Sequence, residues 1–172
     1  MCGINGIISK EKDKDKLIKE MNKRIVHRGP DAEGIYIDDN VALGQRRLSI
    51  IDLEGGNQPI YNKDKSILIV YNGEVYNYKE LKEELTEYEF QTNSDTEVIL
   101  HGYEKWGKEL PKKLRGMFAF VIWDSEKETI FAARDFFGIK PFYYAVVDGN
   151  LVYASEIKSI LEYPGYKKAV NE

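Results

Sequence analysis

Apolar residues recur along this chain with two different periods, and the switches between them outline its elements. The run Cys2 to Ser9 (C-G-I-N-G-I-I-S) predicts a short strand. From about Lys12 to Arg28, Leu17, Ile18, Met21 and Ile25 recur at helical spacing with lysines on the opposite side, which predicts an amphipathic helix. Gly29-Pro30 breaks that pattern. Mixed apolar and polar positions over Gly34–Asp38 and Val41–Ile51 predict strands, and Asp52 to Gln58, with Gly55-Gly56 inside it, predicts a loop. Ser66 to Tyr71 is rich in β-formers and is followed by Asn72-Gly73, a common turn dipeptide. A helix is expected directly after it, from Glu74, with Tyr78, Leu81 and Leu85 on one face. Ser94-Asp95-Thr96-Glu97 has the spacing of a capping box and opens a third helix through Trp106. Strands dominate the second half, over Gly116–Asp124, Glu128–Asp135, Pro141–Val147 and Leu151–Ser155, before a last helix over Glu156–Glu162.

Many short strands with helices grouped in two regions do not alternate as a doubly wound sheet would. Two packed sheets flanked by helices, an α+β arrangement, fit better. No linker, repeat or low-complexity tract interrupts the chain, so residues 1–172 are expected to form a single domain. Hydrophobic residues at 42% and charged residues at 31% suit a globular protein with a real core. A net charge of −4 leaves no basic footprint for nucleic acid or for anionic lipid. The longest apolar run, Met117 to Trp123, falls far short of the ~20 residues that span a bilayer. No cationic stretch precedes an apolar one at the N-terminus, so no secretory signal is expected. One cysteine excludes an internal disulfide, and two histidines with one cysteine argue against structural zinc. A lone reactive thiol is safest in a reducing compartment, which makes the location cytoplasmic by expectation.

That cysteine, Cys2, stands directly behind Met1. If Met1 is removed, one residue carries both a thiol and a free α-amine. The amine titrates near ~7.7–8.0 and can serve as base to the thiol. With Met1 attached, its amide removes that base. A thiol attacking a carboxamide also needs oxyanion donors, which the Asn72 side chain and the Gly73 N–H can supply; the competing reading is a plain hairpin turn. A guanidinium fork for a carboxylate can come from Arg46 or Arg47, which strand alternation places on opposite faces. Asp95, and with it Glu74, can hold an ammonium, although Asp95 is equally explained as a favourable charge at a helix start. These features together propose an amino acid with a side-chain amide, glutamine or asparagine.

The segments M-C-G-I-N-G-I, H27-R28-G29-P30-D31, R47-L48-S49-I50-I51-D52, N57-Q58-P59-I60, Y71-N72-G73-E74-V75-Y76-N77, S94-D95-T96-E97, G116-M117-F118-A119-F120 and R134-D135-F136-F137-G138-I139-K140-P141 resemble, in order and in register, the class II glutamine amidotransferase domain. Within that family they are most similar to the N-terminal glutaminase domain of glutamine-hydrolysing asparagine synthetases. The resemblance implies a four-layer αββα sandwich of two antiparallel sheets, the N-terminal-nucleophile hydrolase fold. It implies Cys2 as nucleophile, Asn72 and Gly73 as oxyanion hole, and a glutamine pocket from Arg47, Leu48, Ser49, Ile50, Ile51, Asn72, Gly73, Glu74 and Asp95. It selects Arg47 over Arg46, and it gives Arg28 and Gly29 a supporting role. The implied activity is hydrolysis of L-glutamine to glutamate and ammonia through a γ-glutamyl thioester, without metal or organic cofactor. The implied partner is an ATP-dependent synthetase domain or subunit that receives the ammonia; its S-G-G-x-D-S loop does not occur in this sequence. An amidase of another N-terminal-nucleophile family, or a catalytically silent module that binds glutamine or a partner, is the alternative.

Overall fold

The alternating runs sort into two antiparallel sheets. A computed structural model describes residues 1–48 and 56–166. Its elements follow as β1 (Gly3–Ile8), α1 (Lys14–Arg24), β2 (Ala32–Ile37), β3 (Val41–Arg47), β4 (Ile60–Tyr61), β5 (Ile67–Val75), α2 (Tyr78–Glu84), α3 (Asp95–Trp106), α4 (Leu110–Lys113), β6 (Gly116–Asp124), β7 (Thr129–Arg134), β8 (Tyr143–Val147), β9 (Asn150–Ala154) and α5 (Ile157–Ile160). One sheet has the order β2-β3-β1-β9-β8 and the other β4-β5-β6-β7.

Side-chain parity builds the layers, because successive residues of a strand face opposite ways. Ile4 of β1, Val41 and Leu43 of β3, and Tyr153 of β9 pack on Leu68 and Val70 of β5 and on Ala119, Val121 and Trp123 of β6, forming a dry layer between the sheets. Ile7, Ala42, Val152 and Ala154 point the other way, onto Ile18 and Met21 of α1 and Ile160 of α5. Ile69, Tyr71, Phe118, Phe120 and Ile122 face Leu81 of α2 and Val98, Ile99 and Leu100 of α3. The stack is therefore helices, sheet, sheet, helices. Each fully buried side chain contributes about 1.5–3 kcal/mol. Ion pairs such as Lys19–Asp15, whose side chains are 53% and 58% exposed, contribute at most ~1 kcal/mol. Apolar layering, not surface charge, holds the fold. Among the described residues no helix is long and apolar enough to cross a membrane.

Several boundaries differ from the sequence reading. α1 spans Lys14–Arg24 rather than Lys12–Arg28; the chain then tightens into successive turns, with Arg28 N–H bonded to Ile25 O and Gly29 N–H to Val26 O. Ile25 still reaches the core, at 0% exposure. Asn72-Gly73 neither turns the chain nor opens a helix. It lies inside β5, paired with Ala119 and Phe118, because the long β6 continues beside it to the Val75–Gly116 pair. α2 starts only at Tyr78. β4, two residues long, has too little pattern to be recognised. β3 ends at Arg47, and the expected continuation over Ser49, Ile50 and Ile51 lies outside the described residues. α5 covers Ile157–Ile160 rather than Glu156–Glu162. At the start of α3, Ser94 caps as expected, its Oγ accepting from Thr96 N–H at 3.2 Å. Glu97 does not close the box onto Ser94; its carboxylate accepts instead from the N–H groups of Gln91 and Thr92, both at 2.7 Å.

Glu97 has a second neighbour that carries a consequence for stability. His101, one turn on, lies between Glu97 at 3.5 Å and Glu104 at 2.7 Å, stacked on Tyr88 and edge-on to Phe90. Burial pushes the imidazole down, but the two carboxylates override it and hold the group up at about 9. Raised above its unfolded value, it contributes stability that is complete below about pH 6.5 and is lost as the pH climbs through about 9. Urea midpoints should therefore fall across that window in the wild type and fall less steeply in His101→Gln. Equal slopes for the two proteins would show that His101 binds its proton no more tightly in the folded chain than in the unfolded one.

Candidate active site

The site forms where a strand edge runs out of partners. β4 pairs only with Ile69 and Leu68 of β5, so no described strand flanks β5 from Tyr71 to Val75 on that side. Buried N–H groups need acceptors. Tyr71 N–H finds Gln58 Oε1 at 2.6 Å, and Val75 N–H finds Asp95 Oδ2 at 2.8 Å. Gly73 sits between them with the same parity, so its N–H aims off the same edge. Its cross-strand partner Phe118 agrees with this: Phe118 N–H and C=O both engage Asp135, at 3.2 and 2.8 Å, on the far side of β6. Glycine is required at that point, since a Cβ at Gly73 would lie 2.4 Å from Met117 O.

A cavity of about 310 Å³ opens over this edge, at the small end of the ~300–1,000 Å³ usual for ligand sites. Its lining includes Cys2, Arg47, Leu48, Asn72, Gly73, Glu74 and Asp95. Both sheets supply it. Pairing of Gly3 with Arg46 sets the residue before β1 beside the end of β3, so Cys2 and Arg47 come from the five-stranded sheet and Asn72 to Glu74 from the other. The parity of Val41 and Leu43 carries Arg47 to the inter-sheet side. Arg46 turns the opposite way, its Nε donating to Gly29 O at 2.9 Å. The choice that alternation left open therefore falls on Arg47, which is 4% exposed and donates to Asn57 Oδ1 at 2.9 Å.

The Cys2 sulfur rests on the backbone of Leu48. Leu48 N–H donates to Sγ at 3.4 Å and the thiol donates to Leu48 O at 3.6 Å. Behind it, Arg28 Nε donates to Cys2 O at 2.9 Å, and Arg28 is paired with Glu156 at 3.1 Å. Arg28 and Gly29 do not line the cavity; they support it, and a Cβ at Gly29 would lie 2.3 Å from the Arg46 backbone. Met1 also lines the cavity, its sulfur 3.3 Å from Lys140 Nζ.

Two features are unbalanced. Asn72 is 1% exposed and its Nδ2 has no hydrogen-bond partner among the described residues; an unsatisfied buried donor costs ~1–3 kcal/mol. Asp95 is also buried, with Oδ2 accepting from Tyr71 Oη at 2.7 Å and from Val75 N–H. Burial pushes its carboxyl up; the Val75 N–H and the Tyr71 hydroxyl pull it back, and neighbouring Glu74 raises it again. Neither Asp95 nor Glu74 has an ion-pair partner among the described residues. A cation entering here would meet two carboxylates, and Arg47 lines the same cavity.

Of the expected site residues, Ser49, Ile50 and Ile51 lie outside the described residues; the rest assemble as above. The sequence reading gave no role in the cavity to Gln58, Tyr71, Ser94, Thr96, Met117, Ile139 or Lys140, all of which line it. All fall within the motif segments, but nothing in their types announces contact with a ligand. Tyr71 reads as a strand aromatic and Thr96 as a helix-start residue.

The glutamine amidotransferase domain family matches residues 1–172. Asparagine synthetase (glutamine-hydrolyzing) 1 of Bacillus subtilis (strain 168) is 49% identical over 94% of this chain and 27% of its own length. Asparagine synthetase (glutamine-hydrolyzing) of Zea mays is 43% identical over 93% of this chain and 28% of its own. The chain thus spans about a quarter of the length of these relatives. Among solved structures, the glutamine phosphoribosylpyrophosphate amidotransferase of B. subtilis, complexed with ADP and GMP, superposes with a TM-score of 0.78 at 24% identity, covering 92% of this chain and 43% of that one. That likeness is one of fold, and it is the sandwich of two antiparallel sheets expected from the motifs.

Proposed function

The chain belongs to the glutamine amidotransferase domain family, and on that premise we propose that it hydrolyses L-glutamine, with Cys2 as nucleophile once Met1 is removed. The observation that carries this reading is the buried Asn72 amide with an unused donor, in the cavity that holds the only thiol of the chain. Asp95 and Glu74 receive the substrate ammonium, and Arg47 receives its carboxylate, which together select an α-amino acid.

The steps follow from these positions. The Cys2 amine takes the thiol proton, and the thiolate attacks Cδ of glutamine. The developing oxyanion is met by Asn72 Nδ2–H and by the Gly73 N–H aimed off the strand edge. Collapse expels ammonia, which leaves with the proton held by the amine. Water then attacks the γ-glutamyl thioester, releasing glutamate and restoring the thiol. None of these steps calls for a metal or organic cofactor.

The ammonia acceptor is, on the same reading, an ATP-dependent synthetase domain or subunit; the relatives, named asparagine synthetases, are about four times the length of the part that this chain matches. An apolar lip beside the cavity supports it: Phe136 is 96% exposed, Phe137 84% and Ile139 58%, a costly surface to leave in water unless something covers it.

Cys2→Ala should abolish ammonia release from glutamine while the fold persists, and substantial residual turnover would remove Cys2 from the mechanism. Asn72→Ala should lower kcat by roughly 10²–10³ with KM little changed. Arg47→Ala should raise KM for glutamine roughly tenfold to a hundredfold, and Arg46→Ala far less. The reverse order in steady-state assays would place the carboxylate elsewhere.

A further inference from the structure

The wall of the cavity that carries Asp95 is braced from behind by groups that never touch the cavity. Glu97, 1% exposed, accepts three hydrogen bonds at 2.7 Å: from Gln91 N–H, Thr92 N–H and the Thr92 hydroxyl. Thr92 Oγ1 in turn accepts from Ser94 N–H at 3.1 Å. Ser94 then caps α3 through Thr96 N–H and donates its hydroxyl proton to Thr96 Oγ1 at 3.0 Å. Asp95 is the residue between these two contacts, and Ser94, Asp95 and Thr96 all line the cavity.

We propose that Thr92 and Glu97 are positioning residues for the ammonium end of the substrate, setting the register of Asp95 through Ser94. The inference rests on the assignment of Asp95 to the substrate ammonium. The geometry singles out this brace for two reasons. First, Asp95 cannot satisfy Tyr71, Val75 and an ammonium together unless its backbone is held at one register. Oδ2 is already committed to Tyr71 and Val75 and the Thr96 N–H also acts on the carboxylate, so the face that Asp95 presents to the cavity depends on where its backbone is held. Second, a capping box closed within α3 would fix the helix end alone. Here Glu97 reaches out of the helix to residues 91 and 92, so it ties the approach segment to the helix it enters. Burial pushes the Glu97 carboxyl up, but the His101 contact and the donors at Gln91 and Thr92 hold it below the usual range, so it stays an acceptor. Glu97 and Glu104 face His101 from α3, Tyr88 stacks on it from the preceding segment, and Lys82 of α2 lies over the far ring Phe90.

The test is steady-state glutaminase kinetics on the Met1-processed chain, with active sites counted by an alkylating glutamine analogue. Thr92→Val keeps the branched shape and removes the hydroxyl. KM for glutamine should rise about three- to tenfold with kcat per active site within about twofold. Thr92→Ser, which keeps the hydroxyl, should restore KM. Thr92→Ala, should the valine protein not fold, should behave as Thr92→Val. Asp95→Asn serves as the reference. If it raises KM and Thr92→Val does not, or if Thr92→Val lowers kcat at constant KM, the brace has no part in binding and the inference falls. If Asp95→Asn itself leaves KM unchanged, the ammonium assignment fails first and takes the inference with it.

Discussion

Backbone N–H groups at a buried strand edge must find acceptors, and in this molecule that requirement shapes everything around the cavity. β4 stops after two residues, and the uncovered edge of β5 would be a liability in an ordinary sheet. Two of its donors are closed by side chains from other parts of the chain, Gln58 and Asp95. The donor between them is left aimed at open space. The same short pairing thus ties the start of α3 to the sheet through Asp95 and leaves Gly73 in the lining of the cavity. Asp95 is a structural acceptor for Val75 and Tyr71 and at the same time lines the cavity.

The electrostatics follow from that economy. A carboxylate placed to satisfy backbone donors in a buried wall is pushed up by desolvation and by Glu74, and pulled back only by neutral hydrogen bonds. On the proposed reading, a substrate ammonium is the charge that balances it. The opposite pole, Arg47, is carried to the cavity by nothing more than its parity in β3. On the proposed reading, an amino acid with both groups free is thereby given one direction of entry.

Much of this was legible from residue patterns. Helical spacing at Leu17, Ile18, Met21 and Ile25 and at Tyr78, Leu81 and Leu85, with the helix start at Ser94, located the two groups of helices, and the β-rich runs located the long strands. Patterns failed where tertiary pairing overrides local chemistry. Asn72-Gly73 has the composition of a turn, but β6 runs alongside and keeps it extended. Glu97 has the spacing of a capping box, but unpaired N–H groups at Gln91 and Thr92 claim its carboxylate. Cys2 was conspicuous as the lone thiol beside the N-terminus, whereas Arg47 and Asp95 were singled out by the family resemblance, since strand alternation left Arg46 open and a helix start explained Asp95. Tyr71 and Thr96 were not, because their work there is done through hydroxyls whose partners only the fold reveals.

The thiol and the guanidinium ride on one sheet, whereas the amide donors ride on the other. Their separation is thus fixed by how two slabs of side chains interdigitate, residue against residue, through Ile4, Leu43, Val70 and Val121. A methylene added or lost in that slab would slide one half of the machinery past the other without touching either. Distant and chemically inert positions therefore act as the spacer between the two halves of the cavity, and their volumes set its geometry as much as the polar groups that line it.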